Sequence, residues 1–256
     1  MNKIIYATTN QLKLDMARYV LEPMGFEVIG KKINDLEELQ LNSIEEVAID
    51  SSRRAYQILN CPVLKNDSGL VIPSLNGFPG PYSKYVEETI TEEGILKLME
   101  GKEDRKAYFL DALAYTENGK TTVFISKSWG IIAKQKEGTY GYGYDNIFIP
   151  DGQNHTLATM PTSSRLPFFS NEAYLKLGEY LKQKENLIIV FFLFLNPCHN
   201  DIDNILLFIF RKFMPFFDMM PFFETSSATG CSCMLSNKYR MSFHRSLSSI
   251  IFNICF

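Results

Sequence analysis

The chain has 256 residues, 46% of them hydrophobic, which is enough for a sizeable core in one or two domains. Its net charge of -3 excludes the basic excess of a typical duplex binder, so no nucleic-acid partner is expected. The apolar run after Lys3 is too short for a signal peptide. Of the five cysteines, Cys61 alone falls in the first 185 residues, which implies no disulfide framework there and favours a reducing, cytoplasmic compartment.

The composition changes after about residue 186. The last 71 residues hold 13 of the 20 phenylalanines but one of the 15 glycines. The apolar run 187–195 is too short to cross a bilayer, which takes about 20 residues, so we do not expect a membrane protein. We predict a folded domain over residues 1–185 and a Phe-rich extension over 186–256 that is not a folded domain. A membrane-surface or partner-binding appendage is the alternative for the extension.

A strand and a helix open the chain. The run Lys3–Thr8 predicts a buried strand, and Asn10 is a good N-cap for the helix that follows. Its apolar residues recur at helical spacing: Leu12, Met16, Tyr19 and Val20. The turn Thr8-Thr9-Asn10 exposes backbone N–H groups beside the positive end of the helix dipole, which suits a phosphate. Lys13 can reach the same anion, although a helical Lys is more often simply solvated.

A second strand is predicted at Phe26–Gly30, followed by an acidic run over 35–40 that by itself indicates a solvated surface. Ser43-Ile44-Glu45-Glu46 has the capping-box pattern of a further helix.

Polar residues interrupt the apolar stretch that begins at Pro62. The run 62–64 fits a buried strand, Asn66-Asp67-Ser68-Gly69 predicts a turn with a left-handed Gly, and a second apolar run follows over 70–72. Polar residues between buried strands are unfavourable unless they bind something, and a plain hairpin turn is the alternative. The loop 76–81 then packs two Gly and two Pro into six positions, and Lys84 brings a cation to the start of a helix predicted over Lys84–Met99.

The next segments predict structure without chemistry. A strand over Lys106–Thr116 and another over Thr121–Ser126 are joined by Asn118-Gly119, a strong hairpin turn, and residues 129–133 extend the sheet. The loop Gly138–Asp145 then interleaves Gly with Tyr, so that a flat ligand could stack on it. An ordinary aromatic turn is the alternative.

Three of these motifs together resemble the Ham1-type inosine/xanthosine triphosphate pyrophosphatases. They are T-x-N-x-x-K ending at Lys13, N-D-S-G-L followed by L-N-G-F-P-G-P-Y-S-K, and Y-G-Y-D ending at Asp145. The resemblance implies an α/β fold in which a long mixed β-sheet with flanking helices forms two lobes around a central cleft. It also implies a homodimer.

The resemblance further implies Mg²⁺-dependent attack of water at the α-phosphorus of ITP, dITP or XTP, releasing pyrophosphate and a monophosphate. Asp67 would be the base and a metal partner, and Glu38 a metal ligand. Lys13 and Lys84 would hold the triphosphate, and Ser68 would add a hydroxyl contact. The remaining substrate contacts implied are Thr8, Thr9, Asn10, Tyr142, Gly143, Tyr144 and Asp145.

The chain departs from the family pattern at several positions. Met16 replaces the usual Glu of the first motif, and Asn66 replaces a carboxylate, which would weaken metal binding. The segment 162–170 lacks the family's His-Arg pair, although Arg165 can stand for its Lys. A nucleotide-binding paralogue with impaired catalysis or altered base selectivity is therefore the alternative function.

Overall fold

The computed structural model describes residues 2–34, 36–161 and 164–195. The prediction for the Phe-rich extension falls, from residue 196 onward, outside the described residues. The strands are β1 (Asn2–Tyr6), β2 (Phe26–Gly30), β3 (Val63–Val71), β4 (Lys106–Glu117), β5 (Lys120–Ile132) and β6 (Phe148–Pro150). The helices are α1 (Gln11–Leu21), α2 (Ile44–Leu59), α3 (Ser83–Thr89), α4 (Thr91–Leu98) and α5 (Glu172–Leu195). Within the described ranges, no helix has the length and apolarity to cross a membrane.

The strands form one mixed sheet in the order β2-β1-β3-β4-β5-β6. β1 lies parallel to both β2 and β3, and the remaining pairs are antiparallel. This sheet with its flanking helices confirms the predicted α/β fold. β1 pairs with β3 only at Ile5–Val63 and Tyr6–Leu64, and then turns away into α1. β3 continues beside β4 as far as Val71, well past the last residue that pairs with β1. The first turn of α1 therefore follows the point where β1 leaves the sheet.

The predicted helix caps and hairpin are present. The Asn10 side chain accepts a hydrogen bond from the Lys13 N–H at 3.3 Å, and Ser43 accepts one from the Glu46 N–H at 3.1 Å. The Glu46 carboxylate accepts from the Asn42 N–H at 3.2 Å, one residue earlier than a capping box requires. The β4–β5 turn has positive φ at both central residues, as a type I′ turn does, and β5 runs unbroken to Ile132.

The predicted turn at residues 66–69 is wrong. All four residues lie within β3 and pair with β4, and Gly69 does not have a positive φ. Gly69 is required for space instead: a Cβ there would lie 2.3 Å from the Gly80 carbonyl oxygen and 2.8 Å from Ser83 Oγ. The strand therefore passes close beneath the loop that leads into α3.

Two details of the predicted helices are also wrong. The stretch predicted as one helix over Lys84–Met99 is divided into α3 and α4, because Thr91 has a φ of +58°. In α1, Met16 and Val20 are buried as predicted, but Tyr19 is 59% exposed. Leu14 and Ala17 complete the buried face, so the helical period was correct and the membership of the apolar face was right only in part.

Two apolar clusters lie toward opposite ends of β3 and β4. One joins Leu64 and Leu113 to α1 and α5, and the other joins Leu70 to α3, α4 and β6. A third cluster packs α2 against Ala112 and its neighbours on β4. The polar middle of β3 therefore lies between apolar regions that hold both of its ends. This arrangement agrees with the predicted two lobes.

Candidate active site

Charged side chains from separate elements meet beside the middle of β3. Lys13, in the first turn of α1, interacts electrostatically with Asp67 of β3, Asp111 of β4 and Glu38 of the segment before α2. Burial lowers the pKa of the Lys13 ammonium, and the three carboxylates oppose that effect. The structure thus brings together three residues predicted from separate motifs: Lys13, Glu38 and Asp67.

Asp67 is a half-buried carboxyl group at the centre of this cluster. Burial raises its pKa to about 6, against the opposing effects of Lys13 and of a hydrogen bond from the Ser68 N–H. The Glu38 carboxylate raises it further, which indicates that the two acids are close enough to repel each other. A carboxyl group with this pKa is ionised at pH 7 to 8 and retains enough basicity to accept a proton.

The pKa of Glu38 is lowered, whereas that of Asp67 is raised. Burial raises the pKa of Glu38, but an ion pair with Lys65 and the charges of Lys13 and Lys84 outweigh that effect and lower it overall. Lys84 itself is 88% exposed, and its ammonium lies 3.9 Å from Glu88. Because the charges of Lys13 and Lys84 both lower the pKa of Glu38, the two lysines predicted to bind phosphate lie on the same side of the protein as this carboxylate.

The turn at residues 8–10, predicted to bind phosphate, contacts the Gly/Tyr loop, which spans residues 138–145. The Asn10 N–H donates to Thr8 Oγ1 at 3.1 Å, and Thr9 is exposed. The Asn10 side-chain amide donates to the Tyr142 hydroxyl at 3.5 Å, although these residues are 132 positions apart. Since Asn10 also caps α1, the positive end of that helix faces the Gly/Tyr loop.

The two tyrosines of that loop differ in exposure. Tyr144 is buried, and its hydroxyl donates to the Ser83 carbonyl oxygen at 2.7 Å, which anchors the loop to α3. Tyr142 is 62% exposed and can stack on a flat ligand. Gly143 between them has a φ of +59°, and a Cβ there would lie 2.9 Å from the Glu87 carboxylate. Contacts of these residues with a nucleotide stay a prediction.

Asp145 and Arg165 pair with each other inside the protein. Arg165 is 2% exposed, and its Nη1 donates to Asp145 Oδ2 at 2.5 Å. The same Asp145 oxygen accepts from the Tyr142 N–H at 3.2 Å. The structure therefore joins the two residues, and their predicted contact with substrate remains untested. Thr162 and Ser163, in the segment that departs from the family pattern, lie outside the described residues.

Sequence reasoning missed two charged residues of this cluster, Lys65 and Asp111. Asp111 lies directly opposite Ser68 in the β3–β4 ladder, and burial raises its pKa to about 6 against the effect of Lys13. Lys65 forms the ion pair with Glu38. For Asp111, the available signal was a single charged residue in the apolar interior of β4, which is unfavourable without a partner.

Glu38 and Asp67 could together hold a Mg²⁺ ion. Mg²⁺ uses one or two carboxylates and completes its shell with water and substrate phosphates. In the part of the chain that the structure describes, no group of three His, Cys, Asp or Glu side chains could hold a metal. The donor set therefore fits a metal shared with a phosphate ligand better than a metal enclosed by protein.

Comparison with known proteins agrees with this geometry. Residues 4–167 match the model of the Ham1 family. The chain belongs to the Ham1 family. The dITP/XTP pyrophosphatase of Methanopyrus kandleri is 45% identical over 62% of this chain and 84% of its own. That of Hyperthermus butylicus is 40% identical over 70% and 95%. The Staphylococcus aureus Ham1 protein has a similar structure, with a TM-score of 0.61 and 29% identity over 72% of this chain and 100% of its own.

From the raised pKa of Asp67 we predict how the free energy of unfolding of this Ham1 family member depends on pH. A carboxyl group whose pKa is higher when folded binds more protons in the folded state, so the wild type loses stability as pH rises from about 4 to about 6. Asp67→Asn removes that penalty. We expect the metal-free variant to be more stable than wild type by about 1–2 kcal/mol at pH 8, after allowance for solvent screening, and equal to it near pH 3.5.

Denaturant unfolding in the presence of a chelator, at both pH values, measures the difference. Asp151→Asn, at an exposed position, is the matched control and should show no such dependence on pH. A free energy of unfolding for Asp67→Asn at or below that of wild type at pH 8 would contradict the burial argument.

Proposed function

We propose that this chain hydrolyses non-standard purine nucleoside triphosphates, ITP, dITP and XTP, to the monophosphate and pyrophosphate. The observation that carries the proposal is the convergence of Lys13, Glu38 and Asp67 where α1 begins and β1 leaves the sheet. A helix N-terminus and a lysine suit phosphates, and the two carboxylates suit Mg²⁺. The relatives named dITP/XTP pyrophosphatase support this choice of substrate.

Each residue has a defined task in this proposal. Lys13 and the first turn of α1 bind the phosphate oxygens, and exposed Lys84 screens the outer negative charge. Asp67 orients the attacking water and accepts its proton; burial raises the pKa of the metal-free carboxyl group to about 6, so the group is ionised at neutral pH and able to act as a base. A Mg²⁺ ion held by Glu38 and Asp67 would neutralise negative charge on the phosphates when bound.

The buried Asp145–Arg165 pair favours altered base selectivity as the second possibility. A nucleotide that drew either charge toward itself would have to break an internal ion pair, which is strongly unfavourable. We therefore expect selectivity to depend on stacking at exposed Tyr142 more than on these two charges. A paralogue that binds nucleotides but does not hydrolyse them is the remaining alternative to the proposed activity.

The direct test is release of pyrophosphate from a panel of triphosphates with Mg²⁺. We expect dITP, ITP and XTP to be hydrolysed at least tenfold faster, by kcat/KM, than ATP, GTP and CTP. Asp67→Asn should lower kcat by roughly 100-fold or more, because it removes the general base. Lys13→Met should mainly raise KM for the same substrates.

The control is Lys97→Met, which replaces an exposed lysine of α4 and should leave both constants unchanged. Tight binding of dITP without release of pyrophosphate would support the paralogue instead. Comparable turnover of ATP would contradict the proposed selectivity.

We also propose that two copies of the chain form a homodimer, as the resemblance implied. The outer face of β5 supports this, because Ile125, Trp129 and Ile131 are each about 40% exposed in alternation with buried residues. Trp129→Glu should then halve the molar mass measured by light scattering. Ile58→Glu, at an exposed position on α2, should leave the mass unchanged. A monomeric wild type would refute the proposal.

We place the catalytic domain at residues 1–185, although α5 continues through residue 185 to Leu195. The family match ends at residue 167, which supports a separate extension. Brief chymotrypsin digestion of the full chain should leave a resistant fragment ending between residues 185 and 195. Protection extending to residue 256 would show that the extension is folded.

The proposed compartment is the cytoplasm, and Mg²⁺ is the proposed metal. Cys61 is a free thiol, and such a group is typical of a reducing environment. A nucleic-acid partner is not part of the proposal, since the net charge of -3 does not favour one.

A further inference from the structure

Ser83, the first residue of α3, holds the edge of β3 where β1 no longer covers it. β1 pairs with β3 only as far as Leu64, whereas β3 continues to Val71. Along the uncovered edge, the Leu70 N–H donates to Ser83 Oγ at 2.9 Å. A buried strand N–H without a partner is unfavourable, so the serine hydroxyl takes the place that a neighbouring strand would otherwise fill.

The same hydroxyl is fixed from its other side. Ser83 Oγ donates to the Gly80 carbonyl oxygen at 2.7 Å, and the residue is 8% exposed. It therefore accepts one hydrogen bond and donates another, which restricts the orientation of the side chain. Gly69 permits this close approach, since a Cβ there would lie 2.8 Å from Ser83 Oγ. Ser83 thus joins β3, which carries Asp67, to the turn before α3.

The main chain of Ser83 makes a third contact, with the Gly/Tyr loop. Its carbonyl oxygen accepts the 2.7 Å hydrogen bond from the buried Tyr144 hydroxyl. Tyr142, the exposed residue proposed to stack on the base, lies two positions before Tyr144. The residue after the loop, Asn146, donates from its side-chain amide to the Glu92 carboxylate of α4 at 2.8 Å. The loop is therefore attached to α3 and α4, and Ser83 connects that attachment to β3.

Lys84 depends on the same anchor. Its side chain is 88% exposed, and its ammonium lies 3.9 Å from the carboxylate of Glu88 on the same helix. An exposed ion pair at this distance fixes a lysine only weakly. The reach of the ammonium is therefore set by the main chain, which is held at the preceding residue, Ser83.

We propose that Ser83 is a positioning residue that places Lys84 and, through Tyr144, the Gly/Tyr loop for binding of a nucleoside triphosphate. This inference rests on the proposed function. Asp67 is held separately, by the continuous pairing of β3 with β4 at the opposite edge. Loss of the Ser83 hydroxyl should therefore weaken substrate binding and leave the chemical step nearly unchanged.

The first test is the kinetics of Ser83→Ala in the full-length chain with Mg²⁺ and dITP. We expect KM to rise about tenfold while kcat changes by less than about threefold. A purely structural role would instead lower the fraction of folded enzyme, and hence the apparent kcat, at an unchanged KM.

The matched control is Ser52→Ala, which also removes a buried helical hydroxyl. Ser52 Oγ lies 2.7 Å from Thr116 Oγ1 and has no part in the proposed site. This variant should lower the midpoint of thermal unfolding, as Ser83→Ala does, and leave KM for dITP unchanged.

Tyr144→Phe separates the two contributions, because it removes only the hydroxyl that reaches Ser83. Its KM for dITP should rise about threefold. Inorganic tripolyphosphate has no base, so in a calorimetric titration with Mg²⁺ Tyr144→Phe should bind it as the wild type does. Ser83→Ala should bind it about fivefold more weakly, because Lys84 is displaced. In the double variant the two effects on KM should combine to less than their product, since both act through the Ser83 carbonyl.

An unchanged KM for Ser83→Ala, or an equal rise in KM for Ser52→Ala, would overturn the inference. Equal losses of tripolyphosphate affinity in Tyr144→Phe and Ser83→Ala would overturn it as well. If the four proteins showed the expected order of tripolyphosphate affinities but the wild type did not hydrolyse dITP, the proposed function would fail while the role of Ser83 stood.

Discussion

The partial burial of one positive charge, that of Lys13, constrains the whole site. An ammonium group removed from water loses solvation, which lowers its pKa, and three carboxylates restore part of the lost interaction. Those carboxylates come from β3, β4 and the segment before α2. No local segment could supply them, so the charged state of Lys13 depends on the tertiary fold.

The register of β3 against β4 provides the required precision. Backbone pairing is continuous from Val63 to Val71, and it fixes Asp67 and Asp111 relative to each other. A slip of β3 by one residue would move Asp67 to the opposite face of the sheet. The apolar clusters at the two ends of these strands oppose such a slip, because it would also expose Leu64 and Leu70. Ordinary core packing thus holds the polar middle of the strands in place.

Local signals predicted much of this fold. Asn10 caps α1, Phe26–Gly30 is a strand, and Asn118-Gly119 closes the β4–β5 hairpin, because each depends on residues adjacent in sequence. The prediction failed at residues 66–69, where four turn-forming residues lie in a strand. Pairing with β4 outweighs their weak strand propensity. The break between α3 and α4 was missed because neither Gly nor Pro marks it.

The site was harder to predict than the fold. Glu38 and Asp67 came from a family resemblance, and the residues alone did not distinguish Glu38 from a solvated surface acid. Asp111 was missed because its significance depends on its position opposite Ser68, which no local pattern encodes. A charged residue in a buried strand indicates that a partner exists, but it does not identify that partner. Once the register is known, Asp111 can be placed opposite Ser68 and next to the residue that faces Asp67, in a region where the Lys13 charge lowers its pKa against the effect of burial.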